Sequence, residues 1–441
     1  MSRFKILFNF LKNCQPHELF FLLLILLLPI QLGKHYWFDW SYVWGLKIDY
    51  LSPTIYLTDL LVLLILGSWG VGSLLDKKIN IKSQLVKNIK IFFLPLGIFC
   101  FLLVNSFLAI NQGAAFYKLI KIIELFFLAF YVAKNNNSSS MIYCLLPIAL
   151  IYGSLITIAQ FIKQTSLGGI FYWLGERSFS LATPGIAKAV VGGRLILRPY
   201  GTFPHPNVLA GFFLISLLLV YGLRKGALIR KSKEANLVWF GAISLGLVTL
   251  ALSFSRSVWL MSFILGIGCL IKFVFGKKKP QYFKYLAIGM GVILIGLFKT
   301  INIINFVLNL STKESIYLRL KLNQLVFQML KGNYLSGIGL NNFIVRLSDY
   351  WSQISGVRFF QPVHNIFLLV LVETGLVGLL IFVWLLILTF KRLLEIRNLK
   401  LVIPFLAILS LGMVDHYWIT LQQTQLLLMI VVGLSWGLKK A

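Results

Sequence analysis

Four short polar motifs interrupt an otherwise apolar sequence, and their residue types indicate chemistry on an anionic substrate. The motifs lie at residues 198–207, 253–257, 364–365 and 415–416. Arg198 and Arg256 supply guanidinium groups, whose planar set of donors matches phosphate oxygens in a bidentate way. His364 supplies an imidazole, which exchanges a proton near neutral pH and is a common general base. Together these motifs indicate that a phosphate or pyrophosphate binds beside a proton acceptor.

The histidines and cysteines show no spacing typical of a metal site or a disulfide framework. They are His17, His35, His205, His364, His416, Cys14, Cys100, Cys144 and Cys269. Closely spaced pairs of such residues, which commonly bind zinc, do not occur in this set. The sequence also contains no Walker loop, no Rossmann fingerprint and no pair of catalytic carboxylates. It therefore predicts a site without metal or cofactor.

The composition of the chain is that of a membrane protein. Of its 441 residues, 59% are hydrophobic and 12% are charged, and the mean hydropathy is +0.86. A soluble domain of this length cannot bury so much apolar surface, whereas a bilayer accommodates it. The formal net charge of +29 does not indicate nucleic-acid binding, because many Lys and Arg residues fall in short clusters between apolar runs. Such clusters are typical of cytoplasmic loops.

About twelve apolar windows of membrane-spanning length predict an all-α protein with a single polytopic domain over residues 1–441. The windows lie near residues 17–33, 57–75, 91–110, 116–133, 141–162, 204–223, 236–254, 257–275, 282–300, 364–390, 400–414 and 418–437. The fourth is weak because Lys118 and Lys121 interrupt it, and the eleventh is short. Basic clusters in alternate short loops predict that both termini are cytoplasmic. No small-residue cleavage site follows the first window, so we expect it to remain as a helix.

Three long segments are then extracytoplasmic, namely residues 34–56, 163–203 and 301–363. The last is the largest, and its part from Lys313 to Lys331 is amphipathic enough for a helix that lies on the outer leaflet. The run Gly337-Ile338-Gly339 is expected to break that helix.

This topology puts all four polar motifs on the outer side, at points where a helix re-enters the membrane. The N-terminal ends of such helices carry free N–H groups and partial positive charge, which favour a bound anion. Pro204 and Pro206 suit the first turn of one helix, and Ser255 is a suitable cap for another. The motifs are therefore expected to converge on one anion site.

Each of these residues also has an interpretation without catalysis. Arg198 could anchor a helix at the lipid headgroups, and Arg256 could form a buried ion pair with Asp415. A lone histidine such as His364 is more often a satisfied interfacial residue than a catalyst. Arg319 could lie on the solvated face of the loop helix.

The segment 364–378 resembles the signature of bacterial O-antigen ligases. It consists of His364 and Asn365, nine further residues, and two glycines three positions apart, Gly375 and Gly378. Further elements are similar to the wider O-antigen ligase/polymerase superfamily: the segment 198–207, the Ser-Arg pair at 255–256, and Arg319 in a long outer loop. The resemblance covers about residues 198–420, and the N-terminal half matches only in hydropathy.

The resemblance implies transfer of a glycan from undecaprenyl pyrophosphate to an acceptor, such as lipid A-core, at the periplasmic face of the inner membrane. Neither a metal nor a nucleotide sugar would take part. The nearest alternative is a polymerase of O-antigen or exopolysaccharide repeats in the same superfamily. A transporter of lipid-linked glycans is an alternative of a different class, but transporters usually carry inverted repeats, and none is detectable in this sequence.

Within this chemistry we expect His364 to remove the proton of the acceptor hydroxyl. Arg256 and Arg319 would bind the pyrophosphate and stabilise its charge as it leaves. A single displacement of this kind inverts the anomeric carbon. The residues expected to bind and position the substrates are Arg198, His205, Asn207, Asn365 and Asp415.

Overall fold

The computed structural model describes residues 14–75, 89–223, 233–275, 310–353, 360–396 and 399–438, and these are predominantly helical. The helices are α1 (Pro16–Leu27), α2 (Leu57–Leu75), α3 (Ile89–Leu108), α4 (Gln112–Lys134), α5 (Ser138–Lys163), α6 (Pro206–Leu223), α7 (Lys233–Leu252), α8 (Arg256–Phe275), α9 (Leu310–Met329), α10 (Phe343–Leu347), α11 (Ile366–Glu395), α12 (Leu399–Gly412), α13 (Tyr417–Thr420) and α14 (Gln422–Gly437). The strands are β1 (Gly33–His35), β2 (Tyr42–Val43), β3 (Leu46–Lys47), β4 (Thr54–Tyr56), β5 (Lys188–Val191) and β6 (Arg194–Leu197).

Four of the described helices, α2, α5, α6 and α11, are long and apolar enough to cross a membrane. Shorter apolar stretches lie in α1, α3, α7, α8 and α12. All of these coincide with apolar windows of the sequence. The total of twelve spans and the cytoplasmic termini stay predictions, because the window 282–300 and both chain ends lie outside the described residues.

The structure departs from the all-α prediction in the segments 34–56 and 163–203, which contain three antiparallel strand pairs. β1 pairs with β4, β2 with β3, and β5 with β6. The last two pairs are hairpins closed by two residues with positive φ, Trp44-Gly45 and Gly192-Gly193. A two-residue turn with this backbone matches the twist of the strands it joins, and Gly-Gly between short apolar runs is its sequence signal.

Buried apolar side chains form two main clusters. The larger one joins α1, α2, α4, α5, α6, α12 and α14. The second packs the inner face of α9, including Leu322, Leu325 and Val326, against α10, the first part of α11 and the β2–β3 hairpin. The buried residues of α9 are three and four positions apart, which is the spacing of the apolar face of an amphipathic helix. The predicted loop helix therefore exists, and its position on the outer leaflet stays a prediction.

α11 is interrupted at Gly375, where φ is 69° and ψ is −171°. The segment 334–339 runs beside this break, and the Ile338 N–H donates to the Val372 carbonyl over 2.9 Å. A Cβ atom at position 375 would lie 2.2 Å from the carbonyl oxygen of Leu335. Only glycine combines this backbone conformation with so close an approach. The break thereby fixes the segment 334–339 to the helix that begins just after His364.

The weak fourth window does form a helix, α4, although two lysines interrupt it. Lys121 Nζ lies 2.5 Å from a carboxylate oxygen of Asp59 in α2 and 2.9 Å from one of Glu124. Lys118 donates to the backbone carbonyl of Ile419. Charged groups in apolar surroundings are tolerated when they are paired in this way.

Candidate active site

The start of α11 positions the polar motif at residues 364–365. Asn365 is its N-cap, and Oδ1 of Asn365 accepts hydrogen bonds from the N–H groups of Phe367 (2.9 Å) and Leu368 (3.1 Å). Nδ2 of Asn365 donates to the Met413 carbonyl over 3.1 Å, in the turn that follows α12. One side chain therefore fixes the helix start next to His364 and ties it to the turn that carries Asp415.

His364, Asp415 and His416 form what we call the His–Asp–His cluster. Their ligand atoms all lie within 4.8 Å of one another, and the two imidazole rings meet edge to face with centroids 5.1 Å apart. Oδ1 of Asp415 accepts the backbone N–H of His416 over 2.9 Å. Nδ1 of His416 lies 2.7 Å from Oγ1 of Thr420 in α13, a contact that fixes its ring. Among the described residues, this is the one group whose geometry could hold a metal ion.

Arg319 on α9 reaches this cluster from the segment between α8 and α11. Its Nη1 donates to the Val414 carbonyl over 2.7 Å, and its Nη2 lies 4.0 Å from Oδ2 of Asp415. The side chain of Arg319 is 34% exposed, so it is partly accessible to solvent. Arg319 is thus anchored to the turn before Asp415 and is not simply on a solvated face of the helix.

Arg198 organises a second group of polar residues at the start of α6. Its Nε donates to the Ser253 carbonyl over 2.8 Å, and its Nη2 donates to Oδ1 of Asn207 over 2.7 Å. His205 accepts the backbone N–H of Asn207 through Nδ1 over 3.1 Å, just where Pro206 begins the helix. Arg198 therefore joins the segment 198–207 to the turn that precedes Arg256, and it does more than anchor a helix at the headgroups.

Arg256 is the first residue of α8 and follows a tight turn. Phe254 in that turn has a φ of 50°, a conformation that side chains rarely adopt, and it contacts the Trp259 ring with centroids 5.6 Å apart. The backbone N–H of Ser253 still donates to Thr249, which extends the preceding helix into the turn. Arg256 itself is exposed. Its exposure disagrees with the interpretation of this residue as one partner of a buried ion pair.

Burial keeps the imidazoles of this region neutral. It lowers the pKa of His364 to about 4, and Arg319 acts in the same direction while Asp415 opposes both. It lowers the pKa of His416 to about 3, again against the opposing charge of Asp415. At neutral pH both rings are therefore uncharged, each with one N–H group and one nitrogen that can accept a proton. A neutral imidazole is the form that accepts one.

The carboxylate of the cluster stays ionised. Burial raises the pKa of Asp415, but His364, His416 and Arg319 outweigh that effect, so its pKa lies below the ordinary value. Burial lowers the pKa of Arg198 to about 10, opposed by Tyr200 and assisted by Arg256, and this arginine still carries its charge at neutral pH. Cationic guanidinium groups therefore outnumber carboxylates here, which favours an anionic ligand.

The two groups of residues are close enough for their charges to interact, as the imidazole of His205 shows. Burial lowers its pKa to about 3, and the charges of Arg198, Asp415, His364 and Arg319 all act on it. The imidazole of His205 is thus within electrostatic reach of both Arg198 and the His–Asp–His cluster. The structure brings together the candidates that the sequence distributes over more than 200 residues.

Two expectations about helix ends are corrected. The Ser255 hydroxyl is buried without a hydrogen-bond partner among the described residues, so it does not cap α8. At α11 the first N–H groups are taken by Asn365 and are not free for an anion. Charge for an anion therefore comes from the arginines rather than from these helix ends.

Two participants were not predicted from the sequence. His416 was left without a role, because no spacing relates it to His364. Tyr50, from the segment between the first two apolar windows, contacts the His416 ring with centroids 5.6 Å apart. The N-terminal half of the chain therefore contributes to the site, although its sequence carries no motif for it.

Comparison with known families finds a match in the C-terminal half of the chain. Residues 241–383 match the family model described as O-antigen ligase, and the matched segment includes Arg256, Arg319, His364 and Asn365. No curated protein matches the chain. The match confirms the resemblance seen in the sequence, because the matched segment is similar to the O-antigen ligase/polymerase superfamily.

Proposed function

We propose that this multi-pass membrane protein is a glycosyltransferase of the O-antigen ligase type. It takes a glycan from undecaprenyl pyrophosphate and joins it to a hydroxyl group of an acceptor such as lipid A-core. The reaction occurs at the periplasmic face of the inner membrane, needs no metal, and inverts the anomeric carbon.

One observation carries this proposal: imidazole, carboxylate and guanidinium groups from distant segments meet in one partly exposed cluster. Arg319 lies 4.0 Å from Asp415, and Asp415 lies within 4.8 Å of His364 and His416. A pyrophosphate leaving group needs cations, and an attacking hydroxyl needs a base. The cluster supplies both kinds of group side by side.

His364 is the proposed general base. Its neutral imidazole takes the proton from the acceptor hydroxyl while the hydroxyl oxygen forms a bond with the anomeric carbon. The bond between that carbon and the pyrophosphate oxygen breaks at the same time, and the electron pair stays on the oxygen. Asp415 then stabilises the imidazolium that has formed.

Arg256 and Arg319 are the proposed ligands of the pyrophosphate. Arg256 is exposed, and Arg319 has donors left after its bond to Val414. Guanidinium groups bind phosphate oxygens in a bidentate way and stabilise the charge that develops as the leaving group departs. Substrate-binding roles are proposed for Arg198, His205, Asn207, Asn365 and Asp415.

The test is transfer by the purified protein. The protein in lipid nanodiscs, without an ion gradient, is incubated with a lipid-linked oligosaccharide and candidate acceptors, and the products are identified by mass spectrometry. One glycan joined to a lipid core supports the ligase, whereas a lengthening series of repeats indicates the polymerase. If no acceptor is modified but sealed vesicles move the lipid-linked glycan across the bilayer, the enzyme proposal fails and the chain is a transporter.

A further inference from the structure

The His–Asp–His cluster has a donor set that goes beyond the proposed transfer reaction. It offers two imidazole nitrogens and one carboxylate, all within 4.8 Å of one another. Two imidazoles and a carboxylate are ligands that Zn²⁺ commonly takes, and a reactive zinc site uses three protein ligands with a fourth position open. The sequence gives no sign of this set, because its two histidines come from different turns.

The frame around the three ligands is well fixed. Thr420 holds the His416 ring, and Asn365 ties the start of α11 to the turn after α12. Arg319 holds the carbonyl group next to Asp415. A tetrahedral zinc ion with bonds of about 2.0–2.1 Å keeps its ligand atoms about 3.3 Å apart. The cluster must contract modestly to reach that spacing, and rotation of the partly exposed His364 side chain supplies the movement.

We propose that His364, Asp415 and His416 bind one Zn²⁺ ion, and that the bound ion inhibits glycan transfer. The binding part of the proposal stands on the geometry alone. The inhibition part rests on the proposed function, because coordination occupies the imidazole lone pair that His364 needs as a base. Zinc is therefore an antagonist of the site and not its cofactor.

Arg319 allows a specific test, because it should weaken zinc binding but assist glycan transfer. Its guanidinium group lies 4.0 Å from the Asp415 carboxylate and repels a cation bound there. It also belongs to the proposed pyrophosphate site. The variant Arg319→Gln should therefore bind Zn²⁺ more tightly than the wild type while it transfers glycan more slowly.

Binding is measured first, on the full-length protein in detergent with an affinity tag free of histidine. Calorimetric titration with Zn²⁺ should give one ion per chain, and Co²⁺ should give the visible absorption bands of a low-symmetry site. His416→Ala should weaken zinc binding by at least about tenfold, since the loss of an outer-shell partner alone costs 10–100-fold. His416→Cys keeps a ligand of the right chemistry and should retain binding.

The matched control is His17→Ala. His17 contacts Tyr131 over 2.9 Å at the start of α1 and is not part of the cluster, so its loss should leave zinc binding unchanged. All variants are compared only if they elute as the wild type does in size-exclusion chromatography. Wild-type protein that binds no zinc, or equal binding by His416→Ala, would overturn the proposal.

Inhibition is measured next, in the transfer assay. Added Zn²⁺ should stop transfer, and a chelator should restore it. Transfer that continues at saturating zinc overturns the inhibitory role. If zinc binds at the cluster but no acceptor is ever modified, the metal site stands and the proposed function fails, so the two failures are distinguishable.

Discussion

Two polar clusters of this chain each contain an aspartate beside a cation, and they differ in how tightly those charges are paired. In the interior cluster, Lys121 lies 2.5 Å from Asp59 and 2.9 Å from Glu124. Gln422 donates a further hydrogen bond to Asp59. The three charged side chains are between 7% and 11% exposed.

The His–Asp–His cluster and its cation are arranged more loosely. Arg319 is 4.0 Å from Asp415, too far for a strong hydrogen bond, and its side chain is 34% exposed. His364 is also partly exposed. Charges that are close to one another but not fully satisfied remain available to a ligand.

This difference indicates that the interior cluster stabilises the fold, whereas the His–Asp–His cluster is a candidate binding site. A tight buried ion pair fixes the relative position of the helices that carry it, here α2 and α4, and breaking it leaves an uncompensated charge. A loose, accessible cluster contributes less to stability and more to binding. Substitutions in the two clusters should therefore change different properties of the protein.

The largest effect is expected at the proposed base. His364→Ala should reduce glycan transfer by about 10²–10⁴-fold, the usual contribution of a general base. Its unfolding temperature should stay near that of the wild type. The control is His35→Ala in β1, where Nδ1 of His35 lies 2.8 Å from Thr54 Oγ1, and this variant should keep its activity. Full transfer by correctly folded His364→Ala would show that the His–Asp–His cluster does not supply the base for the reaction.

The next largest effect should fall on stability. Lys121→Met leaves two carboxylates without their cation and should destabilise the protein by about 3–5 kcal/mol. Transfer per folded molecule should be unchanged, because the interior cluster touches no substrate. Thermal unfolding in detergent gives the first quantity, and activity normalised to folded protein gives the second.

Two further variants sharpen this result. Lys188→Met changes an exposed lysine of β5 and should alter stability by no more than about 0.5 kcal/mol. Adding Asp59→Asn to Lys121→Met should recover part of the lost stability, because one unpaired charge is then removed. If Lys121→Met instead abolished transfer in folded protein, the interior cluster would have a functional role.

An intermediate effect is expected at Arg256. Arg256→Lys keeps the charge but loses the bidentate fork, and one lost charge-assisted hydrogen bond is worth about 1.5–3 kcal/mol, or roughly 10- to 100-fold in rate. Transfer should fall by this factor with stability unchanged. Arg194→Lys, at an exposed arginine of β6, is the matched control. Lower stability with undiminished transfer would show that Arg256 stabilises the fold and does not bind the pyrophosphate.

The apolar helices could be predicted from sequence because bilayer length and hydropathy determine them directly. The windows 57–75, 141–162 and 204–223 coincide with α2, α5 and α6. The strand pairs were missed, since strands of two to four residues give no periodic signal. The break at Gly375 was also missed, because it depends on the distant Leu335 carbonyl.

Only part of the candidate site could be predicted from the sequence. Arg256, Arg319 and His364 stand out because charged or titratable groups are rare near apolar runs, and the family signature includes one of them. His416 and Tyr50 do not, since their proximity to His364 is created by the packing of separate helices and loops. Tertiary contacts of this kind leave no mark in residue spacing.

The smallest effect is expected at Asn365, which caps α11 and binds the turn before Asp415. Asn365→Ala removes the N-cap of α11 and should cost about 1 kcal/mol of stability, the usual loss for such a cap. Transfer should fall with it, because the bond from Asn365 to Met413 also holds the turn before Asp415.

Asn365→Asp separates these two contributions. Aspartate accepts the same two N–H groups, so the cap and the stability should be preserved, but it cannot donate to the Met413 carbonyl. Unfolding temperature should therefore return to the wild-type value while transfer stays reduced. If both properties return together, Asn365 acts only as a cap, and the loose arrangement of the His–Asp–His cluster tolerates the loss of its tie to α11.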